Sequence, residues 1–440
     1  MGQKNNIAAP LLEFAELIKE IGISADKELH PSNKVVKRFV RIAKQVPDSR
    51  MRGMIDYPLV EILLVAFFAV LSGADTWTQM AYFGKIREEW FRKFLKFKNG
   101  TCSHDTFRRV FSLLDPTVIQ AVTVDFLMQN LNKIKAALNI QTNDPRLINI
   151  DGKQARGTGR SRSNAGAVAN LQTLNVYDAS SGICIAMKCI DHKNNEIPAA
   201  QELLPLLDLK NAIVTFDALN TQKKTIGIIA SDEKKGDYVA ALKENHPLFY
   251  QEVDLYFTKK KLEGIANKGI CFHSTSERAH SQLEVRNYYL TTDVKWFADF
   301  DKWEKLRSFI CNEKIITNLH TGELTTERRL FIASIKDVEL CAKAIRGHWS
   351  VENRLHWHLD YSFGDDADTN MDKNAYQNFT AFRRMSLTLC KIAQKFVKES
   401  IRTIRWGIGL DPEAQLGMIL GTLDEDFLEN ALREANSKKG

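Results

Sequence analysis

The sequence predicts an α/β protein: a mixed sheet flanked by helices, preceded by an all-helical N-terminal domain and interrupted late by a β-rich insertion. Three observations carry this. Apolar residues before position 140 recur at three- and four-residue steps. From 146 onward, short apolar runs and helical stretches alternate in the order β-β-β-α-β-α-β, which mixes an antiparallel hairpin with crossover units. Between about 246 and 340 further β-like runs appear before the chain returns to helix.

Pro58 suits a helix start and Gly73 a helix stop, enclosing the apolar run Ile62 to Leu71, which is too short to span a bilayer. Asn99-Gly100 marks a turn, and Ser103 or Asp105 can cap the next helix. There Phe107, Val110, Phe111 and Leu114 share a face, leaving Arg108 and Arg109 on another. Arginines on short helices joined by a tight turn suit either a DNA groove or a solvated scaffold. "QTNDPR" at 141–146 is a polar boundary. After it, "RLINI" is a strand, and "LQTLNVYDASSGICIAMKCID" is a hairpin turning at Ala179 to Gly182. A helix follows from about Pro198 to Leu207, then the strand "AIVTF", a helix from Thr221 to Ala230 and the strand "DYVAAL". "GICFHSTSERAHSQLEVRNYYL", "LRSFICNEKIIT" and "RRLFIAS" supply the insertion, and Ala375 to about Lys398 is an amphipathic helix. The domains expected are 1–140 (helical, a candidate for DNA binding), 145–395 (a mixed sheet with helices, interrupted by 246–340) and a tail, 396–440.

With 440 residues the chain exceeds the usual size of one hydrophobic core. Its 44% apolar and 26% charged residues are those of a globular protein. A net charge of +7 permits a polyanionic partner without requiring one. Seven cysteines without a C-x-x-C pair argue for free thiols and against a zinc ribbon. No secretory signal is evident at the start, so the expectation is a soluble, cytoplasmic protein with no membrane partner.

Three acids stand out. Asp151 ends "RLINI", Asp217 ends "AIVTF", and Glu352 lies within the helical "RGHWSVENRLHWHLD". Carboxylates at two strand ends and on a later helix can converge on hard divalent cations, which take oxygen ligands and can clamp both the attacking and leaving oxygens of a phosphodiester. Three unshielded carboxylates would repel by about 4 kcal/mol per pair at an effective dielectric of ~20, so protons or cations must offset the charge. Lys153, Arg156, Arg160 and Arg162 follow the first acid in a glycine-rich stretch suited to a DNA backbone, and Gln222 follows the second. His348 and His356 flank Glu352 at i−4 and i+4, with Arg346 six residues before it. His356-Trp357-His358-Leu359-Asp360 also has the H-x-H-x-D form of di-metal hydrolases, but lacks their following histidine and sits in a helix.

"NIDGKQARG", "FDALNTQ", "AHSQLEVRNYY" and "IRGHWSVENRLHWHLDYSFGDDAD" resemble bacterial insertion-sequence transposases of the DDE type, in the H-repeat-associated branch. The stretch from "SRMRGMIDYPLVEILL" to "HDTFRRVFSLLD" resembles the helical domain that accompanies them, so the likeness spans roughly 30 to 395. The resemblance implies a ribonuclease H-like catalytic fold, with Mg²⁺ or Mn²⁺ held as a two-metal site by Asp151, Asp217 and Glu352. It implies partners too: double-stranded DNA, as terminal inverted repeats and target, bound by an oligomer of the chain at the bacterial nucleoid. His280, Glu284 and Arg286 would support the site from the insertion, and His348, Trp349 and Asn353 would frame the glutamate. Of these, Arg286, His348 and Asn353, together with Arg346, would also contact the DNA, as would Lys153, Arg156, Arg160 and Gln222. One departure concerns DNA: after "SFGDDAD" the family places arginines where this chain has Thr369 and Met371. A weakened, DNA-binding descendant is therefore the alternative.

Overall fold

A computed structural model describes residues 33–93, 95–137, 144–163, 166–190, 196–262, 269–279, 281–397 and 399–410. His280 and most of the expected tail, from 411, lie outside the described residues, as does the side chain of Arg160.

The helical part comprises α1 (Asn33–Ala43), α2 (Leu59–Leu71), α3 (Trp77–Ile86), α4 (Glu88–Arg92), α5 (His104–Leu113) and α6 (Pro116–Ala137). Local chemistry sets its boundaries. Gly73, at φ +101°, takes the left-handed conformation that stops α2. Thr76 and Gln79 form a reciprocal capping box on α3, and the Ser103 hydroxyl, rather than Asp105, caps α5 by accepting from the Thr106 amide. α2 is buried along nearly its whole length and forms the centre of this layer.

The sheet strands are β1 (Arg146–Ala155), β4 (Leu171–Asp178), β5 (Ile183–Ile190), β6 (Ala212–Phe216) and β7 (Asp237–Leu242); β2 (Arg160–Ser163) and β3 (Gly166–Val168) form a small separate ribbon. Helices α7 (Glu196–Leu203) and α8 (Lys223–Ala230) make the crossovers. Antiparallel β5-β4-β1 continues into parallel β6 and β7, the ribonuclease H-like arrangement the motifs implied.

The insertion departs from expectation at its start. It opens with a helix, α9 (Pro247–Leu262), whose Phe249, Val253 and Phe257 bury one face at four-residue steps. Its strands β8 (Ile270–Ala279), β9 (Gln282–Thr291), β10 (Ser308–Asn318) and β11 (Leu324–Ala333) extend the central sheet, a placement the sequence had left open. β11 pairs with β7, giving the nine-strand order β5-β4-β1-β6-β7-β11-β10-β9-β8.

The chain then runs through α10 (Val338–His348), a π-helical turn (Glu352–His356), α11 (Trp357–Phe363), α12 (Lys373–Val397) and α13 (Ile401–Leu410). α7, α8 and α9 cover one face of the sheet. On the other, α10 and α12 share a continuous apolar cluster with the N-terminal helices, which includes Phe67, Phe111, Leu147, Ile345 and Phe382. No single helix among the described residues is long and apolar enough to cross a membrane.

Candidate active site

Sheet register brings the first two acids together. β1 and β6 are parallel neighbours with Ile150 opposite Phe216, so Asp151 and Asp217 are the next residues on adjacent strands. Asp151 is not at a strand end as expected: β1 continues to Ala155, because it pairs with β4 beyond the point where β6 stops. Glu352 arrives from the opposite side on the π-helical turn, and all three line one cleft together with His348, Trp349 and Arg329. A π turn inserts one extra residue per turn and is frequent at functional sites. Here it carries Glu352 exposed while Val351 and Leu355 are buried.

The electrostatics follow from this convergence. Burial, then the charges of Glu352 and Asp217, push the Asp151 carboxyl up to about 7, against the pull of the Gly152 amide, which donates to its Oδ1 at 2.9 Å. Asp217 is turned onto its own loop, accepting from Asn220 N and Nδ2 at 3.1 Å each. The Glu352 carboxylate has no hydrogen-bond or ion-pair partner among the described residues, although its backbone carbonyl accepts from the Trp357 amide. A fourth acid, Glu196 in the first turn of α7, also raises Asp151. Nothing in the sequence marks it; in the fold it packs against Gly152, where a β-carbon would lie 2.6 Å from Glu196 Oε1.

Among the described residues no three His, Cys, Asp or Glu side chains are drawn tightly enough together to hold a metal ion. The donor chemistry nevertheless fits a hard divalent cation. The cleft offers carboxylate oxygens, and burial together with the neighbouring acids raises one carboxyl, Asp151, to about 7.

Both histidines flanking Glu352 are neutral, His356 buried and His348 half-buried, with desolvation pushing His348 down to about 4 and His356 to about 3. Their partners fix their tautomers. The Thr215 hydroxyl donates to Asn149 Oδ1 at 2.8 Å, so His348 Nδ1, 2.9 Å away, must donate to that hydroxyl, leaving Nε2 an acceptor. Asn149 also donates to the Gly347 carbonyl and to Ser350, locking the end of α10 onto β1. On the other side Arg384 donates to Asn175 Oδ1 at 2.5 Å, which turns the Asn175 amide toward His356 Nε2 at 3.2 Å. His356 Nδ1 therefore carries the hydrogen and faces Asp151 Oδ2 at 3.6 Å. Asn175, Arg384, Asn149 and Thr215 were not legible as site residues, because buried polar residues announce themselves only through their partners.

The basic residues divide. Lys153 does not lie in an exposed DNA-facing loop: it is buried on β1, with Nζ 2.7 Å from Asp360, 2.9 Å from Asp365 and 3.3 Å from Asp366. Arg286 is likewise buried on β9, paired with Glu277 and Glu284, and Glu284 also meets Lys314. Arg156 stays exposed with Asp366 nearby, while Arg346 reaches Glu277 at 2.8 Å. Gln222 precedes α8 and donates to the Leu219 carbonyl. Asn353 is exposed on the π turn, and Trp349 stacks beneath Arg329.

The "GDDAD" stretch is structural. Asp365 is fully buried and accepts from Tyr376, Thr380, Arg383 and Lys153. Burial alone would raise its pKa, but Lys153, Arg383 and Arg384 hold it well below the carboxylate range. Arg383 also meets Asp368 at 2.5 Å and the Asp75 carbonyl at 3.1 Å. This network ties β1, α12 and the loop after α2 into one unit. Gly157 lets the chain cross it, since a β-carbon there would sit 2.6 Å from the Asp366 carbonyl oxygen. Thr369 and Met371 are exposed beside it.

Sequence comparison agrees with this architecture. The profile described as "DDE_Tnp_1-associated" matches residues 40–127, and "Transposase DDE domain" matches 142–382. The chain is 30% identical over 369 residues to "Putative transposase YncI" of Escherichia coli O157:H7, covering 83% of this chain and 90% of that protein. It is 27% identical over 358 residues to "H repeat-associated putative transposase YhhI" of Escherichia coli (strain K12), covering 80% and 90%. Against a solved piggyBac transposase synaptic complex with hairpin DNA it gives 10% identity and a TM-score of 0.34 over 98% of this chain and 85% of the other, too slight a likeness to carry an argument. The chain belongs to the Transposase DDE domain family, in its H repeat-associated branch.

Proposed function

We propose that the cleft cuts and joins DNA: divalent-metal-dependent phosphodiester cleavage at transposon ends followed by strand transfer, with Asp151, Asp217 and Glu352 as the catalytic residues. One observation carries the reading. Acids from β1, from the end of β6 and from the π turn face a single cleft, where burial and then the charges of Glu352 and Asp217 push the Asp151 carboxyl up to about 7. Mg²⁺ or Mn²⁺ held by these carboxylates would supply the compensating charge, an activated water and stabilisation of the departing 3′ oxygen. The protein's own part is positioning. β1 and the His356–Asn175–Arg384 chain orient Asp151, the Asn220 turn orients Asp217, and Asn149 with Thr215 fixes the helix carrying Glu352. The substrate proposed is double-stranded DNA, as inverted repeats and target, met by Trp349 in the cleft and by the exposed Arg156, Arg346 and Asn353 outside its lining, with the chain acting as an oligomer.

The test is whether purified protein with Mg²⁺ nicks a duplex carrying the repeat that flanks the gene. Clear binding with the DNA left intact would favour the weakened descendant, for which the exposed Thr369 and Met371 speak.

Two expectations follow. Asn175→Leu removes the group that sets the His356 tautomer, and loss of such an outer partner costs roughly 10–100-fold in activity or metal affinity. Cleavage per folded molecule should fall by that amount, and because the buried Arg384 loses its acceptor the fold should also lose about 1–3 kcal/mol. Unchanged cleavage would show that the His356 orientation does not matter.

The second expectation concerns pH. Asp151 ordinarily titrates at 3.8 but in the fold at about 7. Between those values the folded, cation-free protein keeps a proton that the unfolded chain has released. Stability therefore falls as pH rises from about 4 to about 7, by up to about 4 kcal/mol, and levels off above. Urea midpoints in chelator should show this slope, and Asp151→Asn should flatten it.

A further inference from the structure

A band of exposed aromatic rings lies just beyond the turn that carries Glu352, and the function proposed above makes no use of it. Trp357 and Tyr361, one turn apart on α11, stack at 4.8 Å with an interplanar angle of 17°, and each is 53% exposed. The Arg402 guanidinium lies 5.5 Å from the Tyr361 ring. Trp406, one turn further along α13, is 66% exposed. The two helices are fixed to each other beneath this surface, because Arg405 donates to the Ser362 carbonyl and packs 3.9 Å over the Phe363 ring. The band is thus a rigid surface shared by two elements.

Large aromatics bury well, and clustered exposure of several marks an interaction surface. The chemistry here selects among partners. Ring faces interleaved with a guanidinium fit a nucleic acid, which offers flat bases and anionic phosphates together. In a duplex the base faces are covered by their neighbours, so ring faces favour unpaired nucleotides. Position agrees. Trp357 and Tyr361 follow Glu352 by five and nine residues, so at ~1.5 Å per residue or less through the π turn they lie within about 14 Å of it along the helix. At ~3.4 Å per nucleotide of stacked strand, that is within about four nucleotides of the acids.

We propose that Trp357, Tyr361, Arg402 and Trp406 form a stacking platform for unpaired nucleotides of the DNA strand lying next to the cleavage position. This rests on the reading of the cleft as a DNA-cutting site and adds the substrate's local form: a frayed or single-stranded stretch.

The test uses the full-length protein without divalent cation and two probes of the gene-flanking sequence. One is a blunt duplex; the other carries a short single-stranded extension with 2-aminopurine in it. Wild type should bind the extended probe roughly fivefold or more tighter, the smallest gain expected from one stacked base, and should quench the 2-aminopurine. Trp357→Ala should abolish both the preference and the quenching while binding the blunt duplex as before, and Trp357→Phe should restore part of each. Trp406→Ala, on the other helix, gives the same readout should Trp357→Ala fail to fold. Equal binding of both probes by wild type, or a preference that survives both alanine variants, overturns the platform alone. So does an oligomer that dissociates in these variants with the preference unchanged, which would assign the surface to contact between copies. Failure of wild type to bind either probe overturns the DNA reading beneath it as well.

Discussion

Asp151→Asn abolishes cleavage while leaving DNA binding intact. The substitution keeps the shape of the side chain and its hydrogen bond from Gly152, but removes the charge that a divalent cation needs. Charge stabilisation by a bound cation is worth several kcal/mol in the transition state. A loss of about 4 kcal/mol corresponds to roughly a thousandfold in rate. Folding should not suffer, because the wild-type carboxylate is opposed by burial, Glu352 and Asp217. The cation-free variant should match wild type below about pH 4 and gain on it progressively above, by up to about 4 kcal/mol at pH 8. Single-turnover cleavage and gel-shift binding measured side by side check the claim. Equal loss of both would mean that Asp151 serves the fold.

Arg383→Ala is expected to give the largest loss of stability. Its guanidinium is fully buried, bridging Asp365 and Asp368 and donating to the Asp75 carbonyl. Removing one member of a buried ion pair leaves the other uncompensated, at about 3–5 kcal/mol. Two acids are stranded here, with Lys153 left as the nearest cation for Asp365. The chemical-denaturation midpoint should fall accordingly. Arg383→Lys, which restores charge without the planar fork, should recover only part of it. A change under about 1 kcal/mol would show that the network is dispensable.

Much of the fold was legible because it rests on periodicity. The hairpin turning at Ala179 to Gly182, the strand before Asp217 and the caps at Gly73 and Ser103 need only local rules, and these hold. The insertion was harder. β8 to β11 read correctly as strands, but no local rule says that β11 pairs with β7, since that pairing joins residues far apart in the chain. α9 was overlooked although Phe249, Val253 and Phe257 keep helical spacing.

The acids stood out because the ends of apolar runs are visible in sequence. Asp151 differs in detail: where β1 ends depends on β4, which local sequence cannot show. The basic residues were misjudged for a related reason. Lys153 follows a glycine in an apparently polar stretch and reads as solvent-exposed. It is buried because β1 continues through it and because three acids from 200 residues later close over it. Arg286 repeats the lesson on β9. Glu196, Asn175 and Arg384 carry no local mark at all.

The most direct test of the central claim is to map the ends of DNA products formed with Mg²⁺ on a duplex containing the flanking inverted repeat. A strand ending in a 3′-OH at the repeat boundary, absent from Asp151→Asn, Asp217→Asn and Glu352→Gln alike, is the predicted result. Cleavage that persists when any one of the three acids is neutralised would contradict it.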